Sequence, residues 1–285
     1  MKTGYVLYNL KAGSGRTLDD VQKVADFFSD EMKLIDILTV ENYGDFFQML
    51  NPEDYIVICG GDGTINRFVN DTEGKEYSNE IFYYPIGTGN DFANDLNKGK
   101  DCEPFCITKY LKNLPIVTVN GKSYRFINGV GFGIDGYCCE VGDALKEKSD
   151  KPVNYTAIAV KGLLFYFKPK KAKVTVDGKE YNYKKVWIAP TMFGRYYGGG
   201  MNAAPNQERL SENPTVSTVL IHGHGRLRTL VVFPSIFKGE HVKHKNMVSV
   251  LTGHNITVEF DQPAALQIDG EKILGVTSYR VQIEK

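Results

Sequence analysis

The sequence predicts a two-domain protein, with a parallel α/β domain followed by a mainly antiparallel β domain. Three observations predict it. At 285 residues the chain is long for one hydrophobic core, and two domains of ordinary size are the better expectation. Its first part alternates short apolar, β-branched runs with stretches of helical spacing, which is the pattern of a parallel sheet with crossover helices. After about residue 115 the texture changes to short strands joined by Asn-Gly and Asp-Gly turns, with few helical stretches between them.

Taken in order, Tyr5-Val6-Leu7-Tyr8 forms the first strand and ends at Asn9. A loop from Asn9 to Arg16 contains Gly13 and Gly15. Thr17 or Asp19 then caps a helix that carries Val21, Val24, Ala25, Phe28 and Met32 on one face, at spacings of three and four. Residues 34–40 form the next strand, Phe46, Phe47 and Leu50 mark a short helix, and residues 54–58 form a buried strand. That strand runs into Cys59-Gly60-Gly61-Asp62-Gly63-Thr64-Ile65-Asn66, and a helix begins near Thr64. Residues 81–86 form a fourth strand, which leads into a second glycine loop, Gly87-Thr88-Gly89-Asn90-Asp91-Phe92-Ala93.

In the second half, residues 115–119 and 123–127 flank Asn120-Gly121, and residues 173–176 and 180–183 flank Asp177-Gly178. Both read as hairpins. Further strands are expected at 216–221, 247–251, 256–260, 265–268 and 279–283, and helices at about 136–146, 155–167 and 226–237. The boundary falls near 113–119, giving domains 1–116 and 117–285.

Hydrophobic residues make up 42% and charged residues 24% of the chain, a globular composition and not a disordered one. Lys plus Arg equals Asp plus Glu at 34 each, which argues against a dedicated nucleic-acid binder. Five cysteines, an odd number with no C-x-x-C pair and no preceding signal peptide, point to reduced thiols in the cytoplasm. No apolar run approaches the roughly 20 residues needed to span a bilayer. The 17 Tyr and 16 Phe are read first as thick cores and second as an apolar substrate site.

The chemistry is expected at the glycine loops. Three loops follow strands of the first domain, after Tyr8, Ile58 and Ile86, and ligands in such sheets bind at the carboxyl ends of strands. Glycines between a strand and a helix let backbone N–H groups approach a phosphate. Asp62 and Asp91 then suggest a divalent cation that offsets the phosphate charge. Each Asp alone is an ordinary turn residue. Together, and beside Thr64, Asn66, Thr88 and Asn90, they read as a metal–nucleotide site. Asp269-Gly270-Glu271 reads locally as a plain β-turn, as does Asp177-Gly178-Lys179.

The ordered set Gly60-Gly61-Asp62-Gly63-Thr64-x-Asn66, Gly87-Thr88-Gly89-Asn90-Asp91-Phe92-Ala93 and a late Asp269-Gly270-Glu271 resembles the diacylglycerol kinase catalytic-domain family. That family includes soluble bacterial diacylglycerol kinases and sphingosine kinases. Tyr197-Gly198-Gly199-Gly200-Met201-x-x-Ala204-Pro205 is similar to its glycine-rich segment, and Gly239-Glu240-His241 to its later Gly-x-His element. The resemblance covers nearly the whole chain. It implies an NAD kinase-like architecture, with an N-terminal α/β domain that binds ATP and a C-terminal antiparallel β-sandwich that helps hold a lipid. It implies ATP contacts from Asn9, Gly13, Thr39, Gly61, Asp62, Gly63, Thr64, Asn66, Thr88, Asn90 and Asp91. Mg²⁺ would be organised by Asp62 and Asp91. The implied catalytic residues are Glu271 as general base, Asp269 beside it, and Asp62. The implied activity is transfer of the γ-phosphate of ATP to a lipid hydroxyl, on diacylglycerol or a related lipid. The partners are then ATP and a lipid at the membrane surface, reached by transient peripheral association. A homodimer is compatible, and no nucleic acid is expected.

Three positions depart from the family pattern. Asn9 is followed by Leu10-Lys11 where the family usually has Pro after Asn. Arg67 stands where Glu is common. Ser211-Glu212-Asn213 replaces an Asp-Asp-Gly run that holds a structural Mg²⁺ in some members. Rival readings are a kinase of the NAD kinase type, which shares Gly-Gly-Asp-Gly, and a lipid- or nucleotide-binding regulator without turnover. His222-x-His224 and His241-x-x-His244 lack the further ligands that a zinc site needs. The apolar stretch 155–167, followed by Lys168, Lys170 and Lys171, reads first as a core helix ended by Pro169. Its second reading is a helix beside lipid or membrane.

Overall fold

The computed structural model describes residues 2–9, 18–87, 89–99, 102–146, 153 and 155–284. The chain divides between Lys112 and Asn113 into two compact units. The first contains β1 (Thr3–Tyr8), α1 (Leu18–Gln22), β2 (Glu31–Asp36), α2 (Tyr43–Gln48), β3 (Tyr55–Gly60), α3 (Asp62–Asp71), β4 (Glu80–Pro85), α4 (Asp91–Asp95) and β5 (Phe105–Cys106). Its sheet has the order β2-β1-β3-β4-β5, the first four parallel and β5 antiparallel to β4.

Every residue of β3 is buried, as a strand covered on both faces requires. Val6, Tyr55, Val57 and Cys59 pack against Val21 and Val24 on one face. The side chain of Tyr5 alternates with that of Val6 and meets Phe46 on the other face, with ring centroids 5.7 Å apart. There Tyr43, Phe46, Phe47, Phe68 and Tyr77 join in edge-on and tilted pairs. Much of the aromatic content is therefore core.

Two expectations fail in this unit. The helical spacing from Val21 to Met32 does not make one helix. After α1 the chain tightens into a 3₁₀ turn, Lys23–Phe27, and Phe28 is extended at φ −128°. Met32 lies in β2 opposite Gly4. Phe28 and Met32 still reach the same core as Val21, because the chain doubles back, so the spacing matches a helix that is not there. The strand expected over 34–40 stops at Asp36. The Asp36 carboxylate accepts the Leu38 N–H at 2.9 Å and starts a 3₁₀ turn, Ile37–Thr39.

The second unit contains β6 (Ile116–Val119), β7 (Lys122–Arg125), β8 (Gly129–Phe132), α5 (Ile134–Lys146), α6 (Tyr155–Lys161), β9 (Lys170–Val176), β10 (Lys179–Val186), β11 (Thr191–Met192), β12 (Tyr196–Tyr197) and β13 (Met201–Asn202). They are followed by β14 (Val216–Ile221), α7 (Arg226–Val232), β15 (Val248–Gly253), β16 (Asn255–Ile268) and β17 (Glu271–Gln282). All its strand pairs are antiparallel. The main path is β15-β14-β11-β8-β16-β17-β6-β7, with β9 and β10 branching from β16.

The two strands expected at 256–260 and 265–268 are one strand of 14 residues. Its first half pairs with β9 and its last residues with β8. The register with β17 shifts between Glu259 and Leu266, around Pro263, so one strand serves both layers of a sandwich. The long β17 likewise absorbs the strand expected at 279–283. The helix expected over 155–167 is shorter, because α6 ends at Lys161 and a π-type turn, Gly162–Tyr166, follows. In the same way α7 gives way to a 3₁₀ turn, Phe233–Lys238, with Pro234 in its first turn. Ile158, Leu163, Phe167, Trp187, Phe233 and Ile236 share one core.

Candidate active site

Each unit carries one set of the implied site residues, and each set is built by its own local architecture. In the first unit the strand order places the switch point between β1 and β3, because β2 lies on one side of β1 and β3 on the other. Open parallel sheets bind ligands at the carboxyl ends of strands at such a point. Tyr8 is paired with Cys59, so Asn9 leaves β1 next to Gly60, the last residue of β3. Thr39 follows β2 on the same edge, and its hydroxyl donates to the Asp36 carbonyl at 2.8 Å. Gly13 and Thr88 lie outside the described residues, as do Leu10 and Lys11.

The two glycine loops form one hydrogen-bonded body. The Gly60 carbonyl accepts N–H bonds from Ile86 at 3.0 Å and Gly87 at 3.3 Å, and the Tyr83 hydroxyl at 3.2 Å. A Cβ on Gly87 would lie 2.6 Å from Gly61 Cα and 2.7 Å from Asn90 Oδ1. Here glycine is required by close approach. A Cβ on Gly60 would overlap the Thr64 side chain. At Gly63 a Cβ would meet no described residue within 4 Å, so contact does not require glycine there. Asn90 is left-handed at φ 49°, and its side-chain amide donates to the Gly87 carbonyl at 2.8 Å.

Asp62 closes the arrangement. Its Oδ2 accepts the Asp91 N–H at 2.9 Å and its Oδ1 accepts the Phe92 N–H at 2.8 Å. One carboxylate thus caps the start of α4 from 29 residues away, and those N–H groups take up part of its charge. Asp91 is itself buried at 5% exposure in the first turn of α4. Thr64 and Asn66 are also buried. Among the described residues the buried Thr64 hydroxyl has no hydrogen-bond partner, and the Asn66 carboxamide and carbonyl oxygens both accept from Asn70. Arg67 turns along α3, with its Nε 3.1 Å from Asp71 one turn further on. The charge at this departure from the family pattern therefore has a partner within its own helix.

Sequence reasoning missed Tyr83. It is fully buried, donates to Gly60 and reaches Asn90 Oδ1 at 3.4 Å. Burial, then the nearby Asp62, Cys59, Cys102 and Asp91, push its phenol well above the usual tyrosine range. A Tyr in an apolar strand gives no sequence signal of this.

In the second unit Asp269 and Glu271 sit on the turn between β16 and β17. Asp269 is left-handed at φ 45° and Gly270 has φ 99°, as a tight hairpin turn demands. The Asp269 carboxylate accepts three backbone N–H groups, from Ile127 at 2.6 Å, Asn128 at 2.9 Å and Gly129 at 3.0 Å. It pins the segment that enters β8. Arg209, only 8% exposed, supports the same segment. Its Nη1 donates to the Ile127 carbonyl at 2.8 Å and its Nη2 to Asn128 Oδ1 at 3.3 Å. Asn128 and Arg209 were also missed, since a charged residue in a polar loop usually reads as solvated. Glu271 opens β17 opposite Ile268 and is exposed. Of the two carboxylates, Asp269 is committed to backbone and Glu271 faces solvent.

The two further segments that resemble family motifs lock each other. Gly239 at φ 69° packs where a Cβ would lie 2.9 Å from Pro205 Cβ. His241 is fully buried, and its Nε2–H donates to the Ala203 carbonyl at 2.9 Å. Burial holds this imidazole down to about 4, against the upward pull of that bond. Among the described residues no group of three or more His, Cys, Asp or Glu is placed to hold a metal.

With this geometry in hand, the comparisons decide the family. The diacylglycerol kinase catalytic domain matches residues 3–116, and the YegS C-terminal NAD kinase beta sandwich-like domain matches residues 128–284. The chain belongs to the diacylglycerol kinase catalytic-domain family. A Bacillus subtilis relative named "Putative lipid kinase YtlR" is 24% identical over 248 residues, covering 79% of this chain and 76% of the relative. A Staphylococcus epidermidis relative named "Putative lipid kinase" is 27% identical over 291 residues, covering 94% and 89%. A solved structure from Bacillus anthracis, described as "a putative diacylglycerol kinase", superposes with a TM-score of 0.69 at 20% identity, over 99% of this chain and 92% of that one. At that identity the likeness is one of fold. It agrees with the α/β unit and the antiparallel sandwich described above.

Proposed function

We propose that this protein is an ATP- and Mg²⁺-dependent lipid kinase that phosphorylates the hydroxyl of diacylglycerol or a related lipid. The observation that carries the reading is the joined pair of glycine loops at the carboxyl ends of β3 and β4, clamped by Asp62, in a chain of this family. The backbone N–H groups at the start of α3 suit a nucleotide phosphate. Asn9, Thr39, Gly61, Thr64, Asn66 and Asn90 are the described residues assigned to this nucleotide subsite, with Gly13 and Thr88 assigned beside them.

The donor set suits a magnesium ion that arrives with the nucleotide. Asp62 holds its carboxylate at the junction of the two loops, where each oxygen accepts one backbone N–H. Mg²⁺ typically takes one or two carboxylates and completes its shell with phosphate oxygens and water. Asp62 and Asp91 would hold it, and bound there it would neutralise charge on the phosphates.

In the proposed reaction Glu271 accepts the proton of the lipid hydroxyl. The hydroxyl oxygen bonds to the γ-phosphorus of ATP, the bond to the β–γ bridging oxygen breaks, and ADP leaves. Asp269 positions the turn that carries Glu271. The protein meets its lipid by transient association with a membrane surface, and among the described residues no helix is long and apolar enough to cross one.

The test is transfer of radiolabelled phosphate from ATP to a panel of lipids in micelles and to NAD, with and without chelator. Lipid labelling that stops with chelator is expected. Labelling of NAD alone would replace the lipid reading, and no labelling would leave a binding protein. Asp62→Asn is expected to abolish transfer. It should also cost about 1–2 kcal/mol of stability, because the clamp on α4 weakens. An active Asp62→Asn protein would remove Asp62 from the mechanism.

A further inference from the structure

We infer that Tyr83 is a positioning residue of the nucleotide subsite, whose phenol hydroxyl sets the two glycine loops in place before a ligand arrives. The inference rests on the reading of these loops as a nucleotide site. Tyr83 is fully buried in β4, so it acts through the loops and not on the ligand. Its ring stands edge-on to Phe92, with centroids 6.0 Å apart, and to Phe105, with centroids 5.7 Å apart. These contacts fix the ring, and the ring fixes the hydroxyl. A buried hydroxyl needs a partner, and this one reaches both loops. It lies 3.2 Å from the Gly60 carbonyl in the first and 3.4 Å from Asn90 Oδ1 in the second.

The two ends of this bridge depend on Tyr83 to different degrees. The Gly60 carbonyl also accepts the Ile86 and Gly87 N–H groups, so it stays paired without the hydroxyl. It shares one planar peptide with the Gly61 N–H, so its direction also fixes a donor of the first loop. At Asn90 the hydroxyl is the partner of Oδ1 among the described residues. The other end of that carboxamide, Nδ2, donates to the Gly87 carbonyl at 2.8 Å and closes the second loop. The hydroxyl therefore decides which way the carboxamide faces. The carboxamide also sits where the loops touch, since a Cβ on Gly87 would lie 2.7 Å from Asn90 Oδ1 and 2.6 Å from Gly61 Cα. Without the hydroxyl the carboxamide is free to turn, and the bond that closes the loop weakens. A nucleotide that meets loops already in place avoids the cost of ordering them. Loss of the hydroxyl should thus appear in nucleotide affinity more than in folding.

The experiment compares wild type with Tyr83→Phe, which keeps the ring and removes the hydroxyl, and with Tyr279→Phe as a matched control. Tyr279 is a buried tyrosine of the second unit, whose hydroxyl donates to the Ala189 carbonyl at 3.1 Å and lies 2.8 Å from the Thr191 hydroxyl. Binding of ATP with Mg²⁺ is measured by calorimetry without lipid, and backbone amide exchange is measured in the nucleotide-free protein. Tyr83→Phe is expected to bind ATP about tenfold more weakly and to exchange the Gly87 amide faster. In turnover its KM for ATP should rise about tenfold, with kcat and the KM for lipid near wild type. Tyr279→Phe should match wild type in ATP affinity and in Gly87 exchange. Equal ATP affinity in the two variants would overturn the inference. So would Ile86 and Gly87 amides that exchange freely in wild type until ATP is added, a result that needs no variant to fold. A wild type that binds no nucleotide, yet has protected amides that Tyr83→Phe opens, would uphold the setting of the loops by Tyr83 and end the nucleotide reading.

Discussion

Two turns in the second unit are nearly the same in sequence and in backbone, and they differ in what they hold. Asp177-Gly178-Lys179 joins β9 to β10, and Asp269-Gly270-Glu271 joins β16 to β17. The Asp-Gly pairs have φ of 49° and 87° in the first and 45° and 99° in the second. Both aspartates accept backbone N–H groups from a distant segment. Asp177 takes those of His254 and Asn255, at 3.1 and 2.9 Å, in an exposed setting. Asp269 takes three, part-buried, on the strand-entry segment that Arg209 also supports. The third residue differs most. Lys179 lies over the Tyr181 ring at 5.3 Å, whereas an exposed carboxylate occupies the matching place at Glu271. The turn chemistry fixes the backbone, and the distant partners decide how firmly the turn is held to the rest of the unit.

The comparison breaks most readily at the third position. Glu271→Gln is expected to lower lipid phosphorylation by about 10²-fold or more, with the unfolding midpoint unchanged, if Glu271 is the general base. Lys179→Gln should leave the rate at wild type. The next contrast lies at the aspartates. Asp269→Asn removes a charged acceptor from three backbone donors and should cost about 2–3 kcal/mol of stability in denaturant unfolding. Asp177→Asn, being exposed, should cost about 1 kcal/mol. Equal costs would mean that the three-donor pin adds nothing. The smallest effect comes from the glycines. At neither Gly178 nor Gly270 would a Cβ meet an atom within 4 Å, so only the positive φ penalises alanine. Gly178→Ala and Gly270→Ala should therefore each cost about 1 kcal/mol, and a clear difference would show that the two turns are not equivalent locally.

The same division explains how much was legible in the sequence. Several signals that act within a few residues read correctly, although the Asp36 side chain that ends β2 two residues before Leu38 did not. The Asn120-Gly121 and Asp177-Gly178 turns demand positive φ, and the β-branched run before Gly60 makes a buried strand. The glycine loops were recognisable because close backbone approach at Gly87 excludes any side chain. What did not read were partnerships across the chain. Nothing in the residues around Asp62 announces that its carboxylate caps α4. Nothing near Asp269 announces the N–H groups of residues 127–129, some 140 positions earlier. Arg209 and Tyr83 were missed for the same reason. Met32 was placed in a helix because spacing cannot distinguish a continuing helix from a strand that returns to the same core.

The central claim is that the exposed Glu271, and not the pinned Asp269, takes the proton of the acceptor hydroxyl. The most direct measurement is the rate of phosphate transfer from ATP to micellar diacylglycerol for wild type, Glu271→Gln and Asp269→Asn, each checked for its unfolding midpoint. The expected result is a loss of about 10²-fold or more in a folded Glu271→Gln protein and a smaller loss in folded Asp269→Asn. A Glu271→Gln rate equal to wild type, with the loss falling on Asp269→Asn instead, would contradict the claim.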